Sequence, residues 1–556
     1  MRPWECFLLA ISALPFATFA ENGTALPVVD LGYERYRAAS FNQSGGFYNF
    51  SNIRYGAPAT GDLRFRAPQS PAINRSTIHD GSNGRICPQA YPKWLALESA
   101  FIPSYLAGIP FNGSLDLSDY QYTPTPVDPR TDEDCLFLDI LVPKQVYDSA
   151  RMQKKYRGAP VLVWIYGGGY AFGDKTTQTG APGLIERSRQ DGSEGVIYLS
   201  FNYRLGAFGW LAGPTFSKSG TPNAGLLDQQ LALKWVQKYI NLFGGDPDRV
   251  TVFGESAGGG SILHHITAYG GMEEPAPFQQ ALLQSPGFLP LPQKSRQEQV
   301  FNQFLSLLNV STIDEARKLP SETLTQTNAY HIGEFSYYGD FNYGPAVDGT
   351  FVPALPGQLL QRGDFHKNIK VMVGSNSDEG LLFILPTAFN ESGYQQYLQD
   401  NLPGLTEDTR QYISETLYPP IFNGNFGYTN GLERGALTLS DLAFQCNTFY
   451  VNRAFGDKTY AYRFSIPPGV HAEDLPYTFY NGPNPAVANA TAALILQDYI
   501  TTFTKTGVPT SSLGPPFEEY GRDKTVLNFG SELIMTTLDP AASERCRWWQ
   551  QAVYAH

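Results

Sequence analysis

Positive charge is scarce in this chain: its 556 residues hold 40 Lys plus Arg against 52 Asp plus Glu, a formal net charge of −12. Nucleic-acid binding draws on clustered basic side chains that displace counterions from phosphate, so it is excluded as a general function. Charged residues of either sign make up 17% of the chain and apolar residues 42%, a mixture that buries a large core and is far from disordered compositions. Cysteine is also sparse, at five residues, and no close Cys/His pairs show zinc spacing, so no metal is expected. Beyond the N-terminus no run reaches the ~18 to 20 apolar residues that span a bilayer, and the final CRWWQQAVYAH lacks an apolar anchor tail. No stable membrane anchor is expected. Internal repeats, heptads and low-complexity linkers are absent as well, which favours one continuous body over several linked domains.

What is present starts with MRPWECFLLAISALPFATFA. Arg2, the apolar stretch from Cys6 to Phe16 and the small residues ending at Ala20 have the order of a secretory signal peptide. The expectation is therefore a signal over residues 1–20 and a single exported domain over 21–556. Without Cys6, four cysteines remain, Cys87, Cys135, Cys446 and Cys546. In an oxidising compartment they allow three pairings, of which Cys87–Cys135 and Cys446–Cys546 close the smaller loops. Asn22, Asn42, Asn49, Asn74, Asn112, Asn309, Asn390 and Asn489 each open an N-x-Ser/Thr triplet without proline in the middle, and are candidate glycosylation sites on surface segments.

From about residue 135 the chain shows brief, near-continuous apolar segments: FLDILVP, APVLVWIYGGG, GVIYLSFNYR, DRVTVFGES, FQQALLQSPG and KNIKVMVGSNSDEG. Such segments are strands whose two faces are both covered. Between them lie helical patterns such as AGLLDQQLALKWVQKYINLF, with an apolar stripe through Leu226, Leu227, Leu231, Leu233, Trp235, Val236 and Ile240. The alternation predicts an α/β fold with a large, mostly parallel central sheet flanked by helices. The long insertions at 287 to 365 and 386 to 455 are expected to form a cap around one sheet edge.

Two glycine-rich turns carry candidate chemistry. Gly254-Glu255-Ser256-Ala257-Gly258 follows the strand-like Val250-Thr251-Val252-Phe253 and precedes a helix-like GGGSILHHITAYG. A strand-to-helix turn with small flanking residues presents a serine hydroxyl at the top of a sheet. With 54 glycines in the chain the pattern alone arises easily by chance, so its context carries the weight. The second turn, Trp164-Ile165-Tyr166-Gly167-Gly168-Gly169-Tyr170, follows the apolar Val161-Leu162-Val163. Successive glycines let backbone N–H groups approach a reacting oxygen, as an oxyanion hole requires; no Gly-Lys-Ser/Thr follows to make it a phosphate loop.

A serine nucleophile needs a base, and there are seven histidines. If the order is serine, acid, histidine, His79 comes too early. His264 and His265 ride the helix leaving the turn, His331 and His366 precede the best acid segment, and His556 is terminal. His471 remains, in Pro467-Pro468-Gly469-Val470-His471-Ala472-Glu473-Asp474 after the strand-like Thr459-Tyr460-Ala461-Tyr462-Arg463-Phe464. The acid follows Lys370-Val371-Met372-Val373-Gly374, where Asp378 and Glu379 are adjacent. From the residues alone either could serve, and the other would be solvated or would cap the helix starting near Gly380.

Phe243-Gly244-Gly245-Asp246-Pro247 through Gly258, Glu133-Asp134-Cys135-Leu136-Phe137-Leu138-Asp139-Ile140, Asn202-Tyr203-Arg204-Leu205-Gly206 and Gly225-Leu226-Leu227-Asp228-Gln229 together resemble the type B carboxylesterase/lipase family, the cholinesterase-like α/β-hydrolases. The likeness runs from near residue 27 to Cys546. It implies the α/β-hydrolase fold with a gorge, Ser256 as nucleophile, Glu379 as acid and His471 as base. It also implies an oxyanion hole from the N–H groups of Gly168, Gly169 and Ala257, supporting polar groups at Glu255 and Ser285, and the same two disulfides. Where many relatives have His before the three glycines, this chain has Tyr166.

The activity expected is hydrolysis of small-molecule carboxylic esters by a secreted serine enzyme without a cofactor. An acyltransferase, cyclase or lactonase of a secondary-metabolite pathway would use the same triad, as would a lipase, while a catalytically silent adhesion protein of this fold would typically lack the serine. The apolar loop between Cys87 and Cys135, with Trp94, Leu95, Leu97, Phe101, Ile102, Tyr105, Leu106 and Phe111, is expected either to shape the substrate pocket or to pack into the core.

Overall fold

The computed structural model describes residues 26–109, 121–273 and 275–555. The expected signal segment, Asn22, Phe111, Asn112 and His556 lie outside the described residues.

Eleven strands of these residues form one sheet: β1 (Ser40–Asn42), β2 (Phe47–Arg54), β3 (Phe137–Pro143), β4 (Ala159–Ile165), β5 (Ile197–Phe201), β6 (Gly245–Glu255), β7 (Gln280–Gln284), β8 (Lys370–Asn376), β9 (Tyr460–Phe464), β10 (Thr525–Phe529) and β11 (Ile534–Leu538). Their spatial order is β11-β10-β9-β8-β7-β6-β4-β5-β3-β2-β1. The seven strands from β5 across to β10 run parallel, and antiparallel pairing is confined to the two edges. The alternation of short apolar runs and helices thus gives the mostly parallel sheet expected of it. All seven residues of β4 are buried, as a strand with both faces covered requires. Helices Ala224–Tyr239, Ala257–Ile266 and Ala490–Thr506 all pack on β6. The edge pair β10 and β11 has no counterpart in the sequence expectation; on β11 the apolar Met535 and Leu538 are exposed, so the burial signal that marks the inner strands is missing there.

A parallel strand ends where its neighbour ends, so the chain leaves β4, β6, β7, β8 and β9 on one side of the sheet. That side receives the loops carrying Gly167–Gly169, Ser256, Ser285, Glu379 and His471. Crevices outside the carboxyl ends of parallel strands are where such sheets collect functional groups.

Two of the sequence motifs meet in the core. Arg204 Nε and Nη2 donate to Asp228 at 2.8 and 2.7 Å, and the Arg204 backbone N–H donates to the same carboxylate at 3.0 Å. Their side chains are 3% and 0% exposed. In the Glu133-Asp134-Cys135 motif, Glu133 accepts two bonds from Arg64 at 2.7 and 2.8 Å. Asp134 accepts from Arg54 Nη2 at 2.8 Å and from Arg85 at 2.7 Å. Cys135 beside them is bonded to Cys87, and Cys446 to Cys546. Among the sequon asparagines, Asn74, Asn309 and Asn390 are exposed, and Asn42, Asn49 and Asn489 partly so.

Removing one partner of a buried ion pair strands the other charge away from water. Asp228→Ala is expected to destabilise the fold by about 3 to 5 kcal/mol, read as a fall in the midpoint of chemical denaturation.

Candidate active site

The strand β6 turns into the helix Ala257–Ile266 through a single residue, Ser256, at φ 57 and ψ −125. A non-glycine residue with positive φ is uncommon and strained. The turn is held from all sides: Ser256 N–H donates to Gln284 O at 3.0 Å, and its own carbonyl accepts from Gly260 and Gly287 at 2.8 and 2.9 Å. A Cβ at position 258 would stand 2.0 Å from Ile165 O, so only glycine permits the helix to start this close to β4. The hydroxyl is thereby presented above the sheet, facing the glycine loop that follows β4.

In that loop Gly168 has φ 99, and a Cβ there would lie 2.2 Å from Phe172 O. Among the described residues the backbone N–H groups of Gly168, Gly169 and Ala257 have no intramolecular acceptor. Backbone donors are normally paired, so three unpaired ones around Ser256, one of them at a helix N-terminus, form a ready site for a negative oxygen.

The two adjacent carboxylates differ in burial and in contact. Asp378 is exposed, whereas Glu379 is 0% exposed and its Oε2 accepts from His471 Nδ1 at 2.5 Å. Its other oxygen accepts from Ser285 Oγ and from the Asn376 N–H, both at 2.6 Å. Ser285 and Asn376 thus fix the carboxylate, and the carboxylate fixes the ring. Asp378 makes no side-chain cap to the short helix after it. His264 and His265 bond Gly260 O and Gln229 instead, and His331 bonds Tyr343 and Gln303.

His471 Nε2 faces the serine turn. It stands 3.2 Å from Glu255 Oε1, and no hydrogen bond joins it to Ser256 Oγ among the described residues. Catalytic contacts in unliganded sites commonly tighten only when substrate arrives. Burial alone would lower the pKa of His471, but Glu255, Glu379 and Asp474 outweigh it and lift it to about 9. Burial raises Glu255 to about 8, against the pull of His471 and with the repulsion of Asp474 and Glu379. His471 and Glu255, 3.2 Å apart, each shift the other, so their titrations are coupled.

Asp474 is a member of this cluster that the sequence did not single out. It is fully buried and accepts from Tyr462 Oη at 2.6 Å, Gln284 Nε2 at 3.1 Å and Asn376 Nδ2 at 3.3 Å. Its position three residues after His471 was the available signal. The rings of Phe444 and Phe383 stand 4.5 and 5.1 Å from the imidazole; Phe444 comes from the second insertion.

Two lobes of one cavity meet at Ser256. The first, about 50 Å³, is walled by Ala257, Phe288, Leu291, Tyr343, Leu439 and Phe444. The second, about 290 Å³, is walled by Trp94, Leu95, Trp164, Phe172, His471 and Leu475. Gly169, Ser256, Phe341 and Phe383 border both. The insertions therefore line the cavity as a cap would. The Cys87–Cys135 loop does both things expected of it: Trp94 and Leu95 line the second lobe while Leu97, Phe101 and Ile102 pack into the core. Tyr105 is partly buried and Leu106 exposed. Among the described residues, only Asp441, Cys446 and Cys546 are close enough to share an ion, and the disulfide removes both sulfurs as thiolate ligands.

The model of the carboxylesterase family matches residues 35–549. The chain belongs to the carboxylesterase family. It is 42% identical over 551 residues to carboxylesterase patB of Aspergillus clavatus, covering 97% of this chain and 98% of that one. To carboxylesterase patB of Penicillium expansum it is 40% identical over 543 residues, 95% and 96% of the two chains. Among solved structures, Aspergillus niger EstA superposes with a TM-score of 0.78 at 25% identity, covering 96% of this chain and 99% of that one. This carboxylesterase is an α/β-hydrolase that cleaves small-molecule carboxylic esters by serine hydrolase chemistry. No helix of the described residues is long and apolar enough to cross a membrane.

Glu255→Gln removes the carboxylate nearest Nε2. The His471 pKa is expected to fall by about one unit, measured from the ring resonances of labelled histidine against pH.

Proposed function

We propose that Ser256 is the nucleophile of this carboxylesterase, His471 its base and Glu379 the acid that orients the base, with the N–H groups of Gly168, Gly169 and Ala257 as the oxyanion hole. The observation that carries this reading is the convergence on Ser256 of three unpaired N–H groups and of an imidazole whose Nδ1 is tied to a buried carboxylate. Glu379 keeps the Nδ1–H tautomer, leaving Nε2 to take the Ser256 proton as Oγ bonds to the ester carbonyl carbon. The carbonyl oxygen becomes negative and is met by the three dipoles. When the tetrahedral species collapses, the C–O bond to the alcohol breaks and the imidazolium returns the proton to the departing oxygen. Water, deprotonated by Nε2, then attacks the acyl-enzyme and releases the acid and Ser256. Ser285, Asn376 and Glu255 act through Glu379 and His471 as positioning residues.

The two lobes divide the substrate. Because the departing oxygen receives its proton from His471, the alcohol portion occupies the second lobe, whose wall contains that ring. The acyl chain fills the first lobe, walled by Phe288, Leu291 and Phe444, which suits an apolar acid. The enzyme works as one domain outside the cell: the leading apolar segment reads as a secretion signal, and two disulfides fit an oxidising compartment.

A sulfonyl fluoride or organophosphate is expected to label Ser256 covalently, seen by peptide mass spectrometry, and Ser256→Ala to lose nearly all turnover; a folded enzyme that stays unlabelled refutes the assignment. Because acidic neighbours hold His471 cationic, and a base must be neutral, kcat/KM rises with pH through the neutral and mildly alkaline range. A pH–rate profile already flat above pH 6 contradicts it.

A further inference from the structure

The second lobe is nearly all aromatic and aliphatic, with one feature that hydrolysis itself does not use. Glu98 lines it, half-buried, one turn after Trp94 on the helix Trp94–Leu106, so both side chains share a face. The helix cannot swing freely. The Trp94 indole N–H donates to Asp340 O at 2.7 Å, Lys93 pairs with Glu334 at 2.8 Å, and the Lys93 N–H donates to Gly333 O at 3.0 Å. Glu98 itself has no ion-pair partner among the described residues. The one donor recorded on it is the neighbouring Ser99 hydroxyl, at 3.3 Å to Oε2. No lysine or arginine lines the lobe; its other polar side chains are Thr177, Gln178, Glu255, Ser256 and His471.

A half-buried carboxyl group in an apolar wall, with only the neighbouring Ser99 hydroxyl as an intramolecular donor, has acceptor capacity left for a ligand that supplies a hydroxyl. We propose that Glu98 selects the alcohol portion of the substrate: the second lobe takes a leaving alcohol that bears a further hydroxyl group, which donates to the Glu98 carboxyl. This rests on the assignment of the second lobe to the alcohol. Burial raises the Glu98 pKa to about 7; in both protonation states the group keeps an acceptor oxygen for that hydroxyl. An alkyl alcohol of the same shape would displace water from the half-buried carboxyl without replacing its hydrogen bond, which weakens its binding. An anionic alcohol would meet the carboxyl groups of Glu98 and Glu255 and no lysine or arginine.

The test uses butanoate esters of ω-hydroxyalkanols with two to six carbons, each against the ester in which a methyl group replaces the terminal hydroxyl. The quantity read is the ratio of kcat/KM within each pair. The full-length enzyme is expected to favour the hydroxyl ester by about tenfold at one chain length or two neighbouring ones, the scale of one hydrogen bond. Glu98→Ala, which keeps a strong helix former, brings that ratio to one or below, and Glu98→Gln, which retains a carbonyl acceptor, keeps part of it. Since each ratio is internal to one variant, a general loss of turnover does not imitate the effect. A wild-type ratio near one at every length, or a preference that survives Glu98→Ala, overturns the proposal. Labelling of Ser256 by a sulfonyl fluoride is run alongside: a labelled enzyme with a flat ratio removes the Glu98 role alone, whereas an unlabelled one removes the serine assignment beneath it.

Discussion

The backbone at Ser256 is the constraint on which the site depends. Its positive φ persists only because neighbouring segments over-determine it: Gln284 takes its N–H, Gly260 and Gly287 bond its carbonyl, and Ile165 presses against Gly258. Those contacts come from β4, β7 and the helix that follows. Their positions are fixed by the buried centre of the sheet, which lets the fold hold a strained residue at its edge without loosening. The same crowding fixes the relative placement of the glycine loop and the serine, because both are wedged against the end of β4.

Electrostatics supplies the second layer. A chain with little charge overall spends three buried carboxyl groups, Glu255, Glu379 and Asp474, around one imidazole. They are not equivalent. Glu379 bonds the ring directly and is pinned by Ser285 and Asn376. Asp474 is saturated by Tyr462, Gln284 and Asn376 and acts on His471 only through space. Glu255 sits beside Nε2 with Oε1 unpaired, the one of the three whose protonation changes what the imidazole meets on its reactive side.

Much of this was legible in the sequence because local patterns report local needs. Glycines flanking Ser256 and the run Gly167–Gly169 are demanded by close backbone approaches, and short apolar strands by two-sided burial. Recognising the motif set also pointed to Glu379 over Asp378, a choice that the residues alone left open because consecutive loop residues differ only in direction. What stayed hidden is what depends on long-range convergence. Phe341 and Phe444 reach the cavity from insertions whose sequences carry no periodic signal for it. The Arg204–Asp228 pair was visible as two motifs but not as one contact. The β10 and β11 edge pair escaped notice because the exposed apolar residues of β11 imitate loop composition.

The bond between Cys446 and Cys546 closes a covalent ring around the segment that holds β9, His471 and β10. A protease cutting an exposed stretch inside that ring, such as residues 483 to 486, would leave both fragments tethered, and the imidazole would stay beside its carboxylate. Nicked enzyme would then migrate as a single species until reduced. That topology makes the lifetime of the catalyst less dependent on the integrity of its chain.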